Sequence, residues 1–223
     1  VVVIINSGAT IDCEYFAENE KVQGILFGWQ GGMEGGLAIA DLLCGDVNPS
    51  GKMVDTIAKS YDCYPCKEDF WECFDHVDYS DDIYVGYRFF ETIPGAKENV
   101  RYPFGFGLSY TDFAWAVESA EEQDDKIHIR VSVKNTGKYA GKEVIQAYVQ
   151  APQGKLGKAA RSLAAFQKTK LLQPGETETF DISVPVSELA SYDEASASYI
   201  LQAGEYAVYI GNSVRNLTKI LGY

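Results

Sequence analysis

The chain has 223 residues, enough for two modest domains, and 46% of them are hydrophobic, which suffices for packed cores. Its formal net charge of −13 argues against nucleic acid and against an anionic membrane surface, because both attract clustered lysine and arginine. Neutral or cationic partners fit this charge better. No apolar run approaches the roughly 20 residues that a membrane-spanning helix needs.

The first half of the chain alternates apolar strands with helices. Val1 to Ile5 form a β-branched run typical of a strand covered on both faces, and Gln23 to Trp29 predict a second strand. A helix is expected over Glu34 to Cys44 and a further strand over Ile83 to Glu91. The expected core face of the helix has three-four spacing and comprises Leu37, Ala40, Leu43 and Cys44. This order indicates an α/β domain with a mostly parallel sheet, which we assign to residues 1–110.

From residue 111 onward the apolar period changes to two. In the segment Lys126 to Asn135 every second side chain is apolar and is expected to point inward, namely Ile127, Ile129, Val131 and Val133. About seven such strands, separated by turns, predict an antiparallel β-sandwich of the immunoglobulin or fibronectin type over residues 111–223. No cysteine lies beyond Cys73, which excludes an antibody-type domain pinned by a disulfide.

Residues 101–113 join the two halves and combine glycines with a proline and five aromatic side chains. A flexible linker would instead be rich in glycine, serine and charge. Large aromatic rings are driven out of water, and glycines let the chain turn sharply beside them. We therefore expect an ordered, rigid joint, and we expect the two domains not to move independently.

The loop Gly28 to Gly36 joins the second strand to the helix, where α/β proteins place phosphate-binding loops. Its spacing is not the dinucleotide fingerprint, and no Gly-Lys-Ser/Thr follows. Glu34 at the start of the helix would repel phosphate. Close packing of the glycine backbone against another element is therefore favoured over nucleotide binding, and no cofactor is expected.

Cys63, Cys66, Cys73 and His76 have the ligand types of a structural zinc site in the pattern C-x2-C-x6-C-x2-H. The alternative is a loop with incidental thiols, because short Cys/His patterns often mislead. We expect no bound metal.

Acidic pairs are frequent, but none is predicted to be catalytic. Asp81-Asp82, Glu121-Glu122 and Asp124-Asp125 lack the apolar flanking that a catalytic carboxylic acid needs, so they are predicted to be solvated. His128 alternates outward on a strand with no nucleophile near it in sequence, and no serine-centred elbow motif is present. Taken alone, the residues define no complete catalytic set.

Several ordered motifs closely resemble glycoside hydrolase family 3, and together they span essentially the whole chain. Those of the family's second domain are Trp29-x-x-Gly32-x-Glu34-x-Gly36, Ala40 to Lys52, Tyr79 to Phe90 and Tyr102 to Thr111. Those of its fibronectin type III-like module are Val133-x-Asn135-Thr136-Gly137, Gly141 to Val149 and Leu171-x-x-Pro174-Gly175-Glu176. Members of the family are mostly β-glucosidases and β-xylosidases, which are retaining enzymes with an aspartate nucleophile and a glutamate acid/base.

The resemblance implies that the nucleophile lies on a (β/α) barrel, which this chain does not contain. It places the acid/base upstream of the strand Val1 to Asn6. The chain opens on that strand without a methionine or a recognisable signal peptide, so we expect it to be part of something longer. No catalytic residue is assigned to it.

Gly204 to Asn216 are similar to members in which the barrel follows the fibronectin-like module. Those members are often intracellular, which fits unpaired thiols, so we expect a cytoplasmic location, with secretion as the alternative.

The resemblance thus predicts that this chain is the non-barrel portion of a retaining β-glycosidase, and that the enzyme is a β-glucosidase. This portion is expected to complete and brace the active site. Its expected partners are β-glucosides or related oligosaccharides and the missing barrel, on the same or another chain. Trp29, Met33 and Glu34 are the candidate substrate-binding or barrel-interface residues, because α/β domains meet ligands at the crevice at strand ends. The isolated chain is expected to be inactive. The alternative is a stand-alone carbohydrate-binding or scaffold module.

Overall fold

The computed structural model describes residues 1–68 and 74–222. The helices are α1 (Glu14–Ala17), α2 (Gly35–Cys44) and α3 (Tyr87–Thr92). The strands of the first half are β1 (Val2–Ile5), β2 (Gly24–Phe27), β3 (Ile57–Ala58) and β4 (Val100–Tyr102). Those of the second half are β5 (Phe113–Gln123), β6 (Lys126–Asn135), β7 (Val144–Gln150), β8 (Ser162–Lys168), β9 (Thr177–Pro185), β10 (Ser191–Asp193), β11 (Ser198–Ile200), β12 (Ala207–Ser213) and β13 (Asn216–Gly222). Within the described ranges no helix is long and apolar enough to cross a bilayer.

The first half is an α/β domain, as predicted. β1 and β2 pair in parallel, with Ile5 opposite Phe27, and a helix follows each of them. β3 and β4 form a separate antiparallel pair. One small core is built from the buried residues Ile5, Cys13, Met53 and Ile57, and a second from Ala58, Phe90, Ala96 and Val100.

Two expectations about burial in this domain are wrong. Val2 and Ile4 of β1 are 50% and 40% exposed, so the strand is not covered on both faces. In α2 the supposed core face is exposed, with Leu37 at 65% and Leu43 at 49%, while Ile39 is half-buried on the sheet side. Ala40 and Cys44 are exposed as well. Three-four spacing identifies an apolar face, but none of the elements described in this structure covers it.

A third expectation, a strand over Ile83 to Glu91, is also wrong. Gly86 adopts a positive φ of 59°, and the chain then forms α3. A short aromatic run does not distinguish a strand from a buried helical turn by periodicity. Here the helix is selected because it places Phe90, 1% exposed, into the core between Ala58 and Val100.

The second half is a fibronectin-like β-sandwich. One sheet has the order β5-β6-β9 and the other β13-β12-β7-β8, with antiparallel neighbours throughout. The inward side chains predicted on β6 are 0–1% exposed, and their neighbours from the facing sheet include Ile145, Val208 and Ile210. The period-two prediction is therefore confirmed. β10 and β11 form a separate short hairpin.

Candidate functional site

A cleft of about 180 Å³ opens where the two parallel strands of the α/β domain end. Asn6 follows β1 and Gly28 follows β2, and parallel neighbours bring their carboxyl ends to the same edge of a sheet. The complete lining is Asn6, Gly28, Trp29, Gly31, Gly32, Gly35, Gly36 and Ile39. Because glycine dominates this lining, the walls are largely backbone. A Cβ on Gly31 would lie only 3.1 Å from the Cα of Gly35, so the loop and the start of α2 pack closely.

Trp29 lines the cleft, and its backbone has an unfavourable conformation. Its φ is +49°, a left-handed conformation that a bulky side chain rarely adopts. Such strain persists only where surrounding contacts determine it, and it concentrates at functional sites. The indole ring is half-buried and packs 6.1 Å from the ring of Phe27.

The other two candidate residues lie outside the cleft lining. Met33 is fully exposed, and Glu34 is the exposed N-cap residue of α2, whose side chain makes no capping hydrogen bond. In the sequence both residues lie between Gly32 and Gly35, two glycines that line the cleft. The structure thus places Trp29 in the site itself and leaves Met33 and Glu34 on the surface next to it.

A row of aromatic rings connects the cleft to the joint. Phe27 touches Trp29 on one side and meets Tyr102 edge-on at 5.9 Å on the other. Tyr102 in turn stacks on Phe106 at 5.9 Å. These rings pack against the core that contains Ile5, and burial raises the pKa of the Tyr102 phenol. The row is a continuous apolar path from the site into the segment that joins the domains.

The joint is tied by backbone hydrogen bonds to both domains. Met53 donates to the carbonyl of Phe106 at 2.7 Å, and Gly105 donates to the carbonyl of Met53 at 2.8 Å. On the other side Val214 donates to the carbonyl of Phe104 at 3.1 Å. Residues 104–106 therefore form a turn that is hydrogen-bonded to both domains, and the rigidity of the joint stays a prediction.

Gly105 lies against the outer face of the fibronectin-like sheet. Its φ is +79°, and a Cβ at this position would collide with the side-chain amide of Gln146. Gln146 is only 4% exposed. Its Oε1 accepts a hydrogen bond from the Tyr148 hydroxyl at 2.5 Å, and its Nε2 donates one to the carbonyl of Asn212 at 3.0 Å. Burial raises the pKa of Tyr148 far above the usual tyrosine value. Backbone freedom and close approach thus both require glycine here.

A buried ion pair and aromatic stacking add to this interface. Lys52 lies 2.6 Å from a carboxylate oxygen of Glu143, across the domain boundary. Tyr87 of α3 stacks on Phe104 of the joint at 4.6 Å and meets Tyr148 of β7 edge-on at 6.1 Å, and its hydroxyl accepts the amide of Leu163 at 2.8 Å. Contacts of three kinds therefore connect the α/β domain to the sandwich.

A second ion pair crosses the boundary near the end of α3. The side chain of Glu91 is 4% exposed, and one of its oxygens accepts the Nε of Arg215 at 2.7 Å. The guanidinium also donates to the carbonyl of Lys97 at 3.0 Å. Arg215 lies in the turn between β12 and β13, so this pair fixes the far edge of the sandwich to the α/β domain.

Asn48 joins three segments that are distant in sequence. Its Oδ1 accepts the Ser109 hydroxyl at 3.0 Å and the Tyr110 amide at 2.9 Å. Its Nδ2 donates to the carbonyl of Ala140 at 3.0 Å. The hydroxyl of Tyr110 also donates to the carbonyl of Leu42 at 2.8 Å, which ties the end of α2 to the joint.

The metal hypothesis falls partly outside the described residues, because Cys73 belongs to the segment 69–73. Cys63 and Cys66 are half-buried, and His76 faces Asp78 at 3.8 Å. Across the two described ranges no group of three or more His, Cys, Asp or Glu side chains is arranged to hold a metal ion. The acidic pairs at 121–122 and 124–125 are exposed, as predicted, and so is Asp82. Asp81 was also expected to be solvated, but it is half-buried, and one of its carboxylate oxygens is enclosed.

Sequence reasoning missed Asn6, Asn48 and Gln146. Asn6 ends a strand run and Asn48 precedes a proline in an ordinary turn, so neither pattern signals a site. Gln146 occupies an outward position of a strand, where a polar residue is unremarkable unless a second domain covers it. Its burial and its two hydrogen bonds become visible only in the folded chain.

The fold and the site define an α/β domain, with a cleft at its strand ends, joined firmly to a fibronectin-like sandwich. A sequence profile of the glycosyl hydrolase family 3 C-terminal domain matches residues 1–110, and one of a fibronectin type III-like domain matches residues 143–214. The chain belongs to glycoside hydrolase family 3, of which it comprises these two domains without the catalytic barrel.

Individual relatives agree with this assignment. The chain is 48% identical to β-glucosidase A of Butyrivibrio fibrisolvens and 43% identical to a β-glucosidase of Ruminococcus albus, in each case over 100% of its own length. It spans only 29% and 24% of those proteins. In three dimensions it matches a β-glucosidase of Paenibacillus barengoltzii, with a TM-score of 0.93, 45% identity, and coverage of 99% of this chain and 25% of that one.

A second solved structure is β-glucosidase 3B of Thermotoga neapolitana in complex with glucose. The TM-score is 0.89 at 38% identity, with coverage of 100% of this chain and 30% of that one. Both structural matches extend across the joint, so the relatives share the arrangement of the two domains as well as the separate folds.

Proposed function

We propose that this chain is the non-barrel part of a retaining β-glucosidase that hydrolyses terminal β-linked glucosides. It completes and braces the active site, while the nucleophile and the acid/base lie elsewhere in the complete enzyme. The observation that carries the proposal is the coverage: essentially all of the chain superposes on β-glucosidases, of which it spans about a quarter.

The barrel domain is the proposed partner of the cleft face. The exposed apolar side chains of β1 and α2 support this, because a folded protein rarely leaves a strand face and a helix face of the same domain uncovered. The position of the cleft at the ends of parallel strands supports it too. Trp29 would line the shared site, and Met33 and Glu34 would contact the barrel.

Hydrolysis of aryl β-glucosides tests whether the catalytic carboxyl groups lie outside this chain. Retaining hydrolysis needs two carboxyl groups about 5–5.5 Å apart across the scissile bond. We expect the purified 223-residue chain to be inactive and the polypeptide from the complete reading frame to be active. Activity of the isolated chain that survives removal of contaminating enzyme would contradict the proposal. Retardation on a β-glucan gel without activity in either protein would favour a stand-alone carbohydrate-binding module.

The role of Glu34 is tested in the complete enzyme with Glu34→Gln, and Glu20→Gln at another exposed glutamate of the α/β domain is the control. Glu34 is exposed at the start of α2, outside the cleft lining, so it is expected to orient neighbours rather than to donate a proton. Both variants should then retain the same dependence on the leaving group. A selective loss with poor leaving groups in Glu34→Gln would make Glu34 the acid.

A further inference from the structure

Helix α2 runs from the cleft to the joint. Its first residues, Gly35 and Gly36, line the cleft, and near its other end the carbonyl of Leu42 accepts the hydroxyl of Tyr110. Ten helical residues span about 15 Å, so a contact at the joint and the wall of the site belong to one rigid element.

This helix has few other restraints. None of its residues is buried, and its apolar side chains Leu37 and Leu43 are exposed. On the sheet side Ile39 approaches Gly28 closely, because a Cβ there would lie 3.7 Å from its Cδ1. Helices in proteins derive most of their stability from packing. Among the contacts that this chain itself provides, those at the two ends of the helix therefore matter most.

The restraint at its C-terminal end comes from the joint and from the sandwich. Gly45 ends the helix in the left-handed conformation, and three residues later Asn48 binds Ser109, Tyr110 and Ala140. Ala140 belongs to the loop between β6 and β7, so the exit of α2 is attached directly to the fibronectin-like domain. At the opposite end Glu34 provides no side-chain cap.

We propose that Asn48 and Tyr110 are positioning residues of the cleft, which act on it through α2. The fibronectin-like domain thereby sets the location of the glycine-lined wall about 15 Å away, the length of the ten-residue helix. The aromatic row from Trp29 to Phe106 holds the opposite wall to the same joint. The functional meaning rests on the proposed function, because a site shared with a barrel tolerates misplacement of only about 1 Å. The coupling itself is a property of this chain.

The test compares two tyrosines with matched hydrogen bonds. Tyr110 is 48% exposed and donates to a backbone carbonyl at 2.8 Å; Tyr61 is 50% exposed and donates to the carbonyl of Lys67 at 2.8 Å, away from α2. Tyr110→Phe and Tyr61→Phe remove the same group. Amide chemical shifts are recorded for Gly31, Gly32, Gly35 and Gly36, together with hydrogen exchange along the helix.

We expect Tyr110→Phe to shift the four cleft glycine amides and to accelerate exchange of α2 amides about threefold to tenfold, the factor that one net hydrogen bond supplies. Tyr61→Phe should leave both unchanged. Shifts confined to residues 42–48, with the cleft glycines unmoved, would overturn the proposal.

A graded series at Asn48 provides the second measurement. Asn48→Asp keeps the oxygen that accepts Ser109 and Tyr110 but loses the donor to Ala140, whereas Asn48→Ala loses all three hydrogen bonds. Shifts at the cleft should be larger in Asn48→Ala. Equal, negligible shifts in both would contradict the role of Asn48. If Asn48→Ala does not fold, Ser109→Ala removes one of the three bonds, together with the bond that the Thr111 amide donates to the Ser109 hydroxyl. Because glucoside hydrolysis is not used as a readout, the outcome is independent of the proposed function.

Discussion

Lys52 and Glu143 form an enclosed ion pair across the domain boundary, with Nζ and Oε1 2.6 Å apart and side-chain exposures of 13% and 8%. The carboxylate is also held by the amide of Val144 at 2.7 Å and by the side chain of Asn212 at 3.1 Å. Desolvation offsets most of the attraction within such a pair, so its main effect appears when one partner is removed.

Lys52→Met should therefore lower the free energy of unfolding by about 3–5 kcal/mol, because it leaves Glu143 buried without a counter-ion. The double variant Lys52→Met/Glu143→Gln should recover much of this loss. Urea denaturation of the four proteins gives the cycle. The exposed pair Arg130–Asp181 is the control, and Arg130→Met should cost less than about 1 kcal/mol. Equal, small losses at both sites would show that Lys52 contributes no more than a surface charge.

Gly105→Ala should destabilise the chain more than Gly175→Ala. Both glycines have nearly the same positive φ, +79° and +81°, but nothing lies within 4 Å of a Cβ at position 175. The control therefore reports the backbone cost alone, about 1–2 kcal/mol. At position 105 the collision with Gln146 should add about 1–3 kcal/mol. Thermal or urea unfolding measures the difference, and equal destabilisation would contradict the close approach of the joint to the sheet.

Stability should fall at alkaline pH, in part because of Tyr148. Burial raises the pKa of this phenol in the folded chain, whereas in the unfolded chain it ionises near pH 10. Above that pH the unfolded state binds fewer protons, so the free energy of unfolding decreases by up to about 1.4 kcal/mol per pH unit from this residue. Tyr148→Phe should flatten the slope between about pH 10 and 11.5 without abolishing it, because burial also raises the pKa of Tyr64 and Tyr102. An unchanged slope would contradict the assignment.

Limited chymotrypsin digestion should leave residues 101–113 of the native chain uncut, although the segment offers four aromatic cleavage sites, Tyr102 being protected by the proline that follows it. Backbone hydrogen bonds from Met53 and Val214 and the stacking of Phe104 on Tyr87 hold it closed. Phe104→Ala should expose the joint and release two halves. Cleavage after Tyr199, 75% exposed on the hairpin of the sandwich, is the internal control and should not change. Rapid cleavage of the native joint would refute its rigidity.

The sequence predictions were accurate where the pattern lies within one strand, and they failed where burial depends on a partner element elsewhere. Ile127 to Val133 point inward as predicted, because alternation along one strand records which face meets the core. Leu37 and Leu43 were assigned to a core face and are exposed. Periodicity reveals that a helix has an apolar face, but it does not reveal whether the covering element belongs to the same chain.

Trp29 and most of the glycine-rich loop line the cleft, because a strand–loop–helix pattern marks the carboxyl-terminal edge of a parallel sheet. The roles of Trp29, Met33 and Glu34 in substrate binding or at the barrel interface stay predictions. The contacts of Asn48 with Ala140 and of Gly105 with Gln146 were not predicted, because they join residues of different domains. The aromatic content of residues 101–113 indicated burial, but it did not identify what those rings would touch.

The fit between Gly105 and Gln146 limits how these two domains can be exchanged between relatives. A chimaera cut at the domain boundary would unite a joint from one parent with a sheet from another, and a larger side chain in either place would separate them. Positions 105 and 146 are therefore expected to diverge together, along with the pair at 52 and 143. Recombination that keeps residues 101–113 with their own sandwich should yield folded hybrids more often than a cut after residue 110.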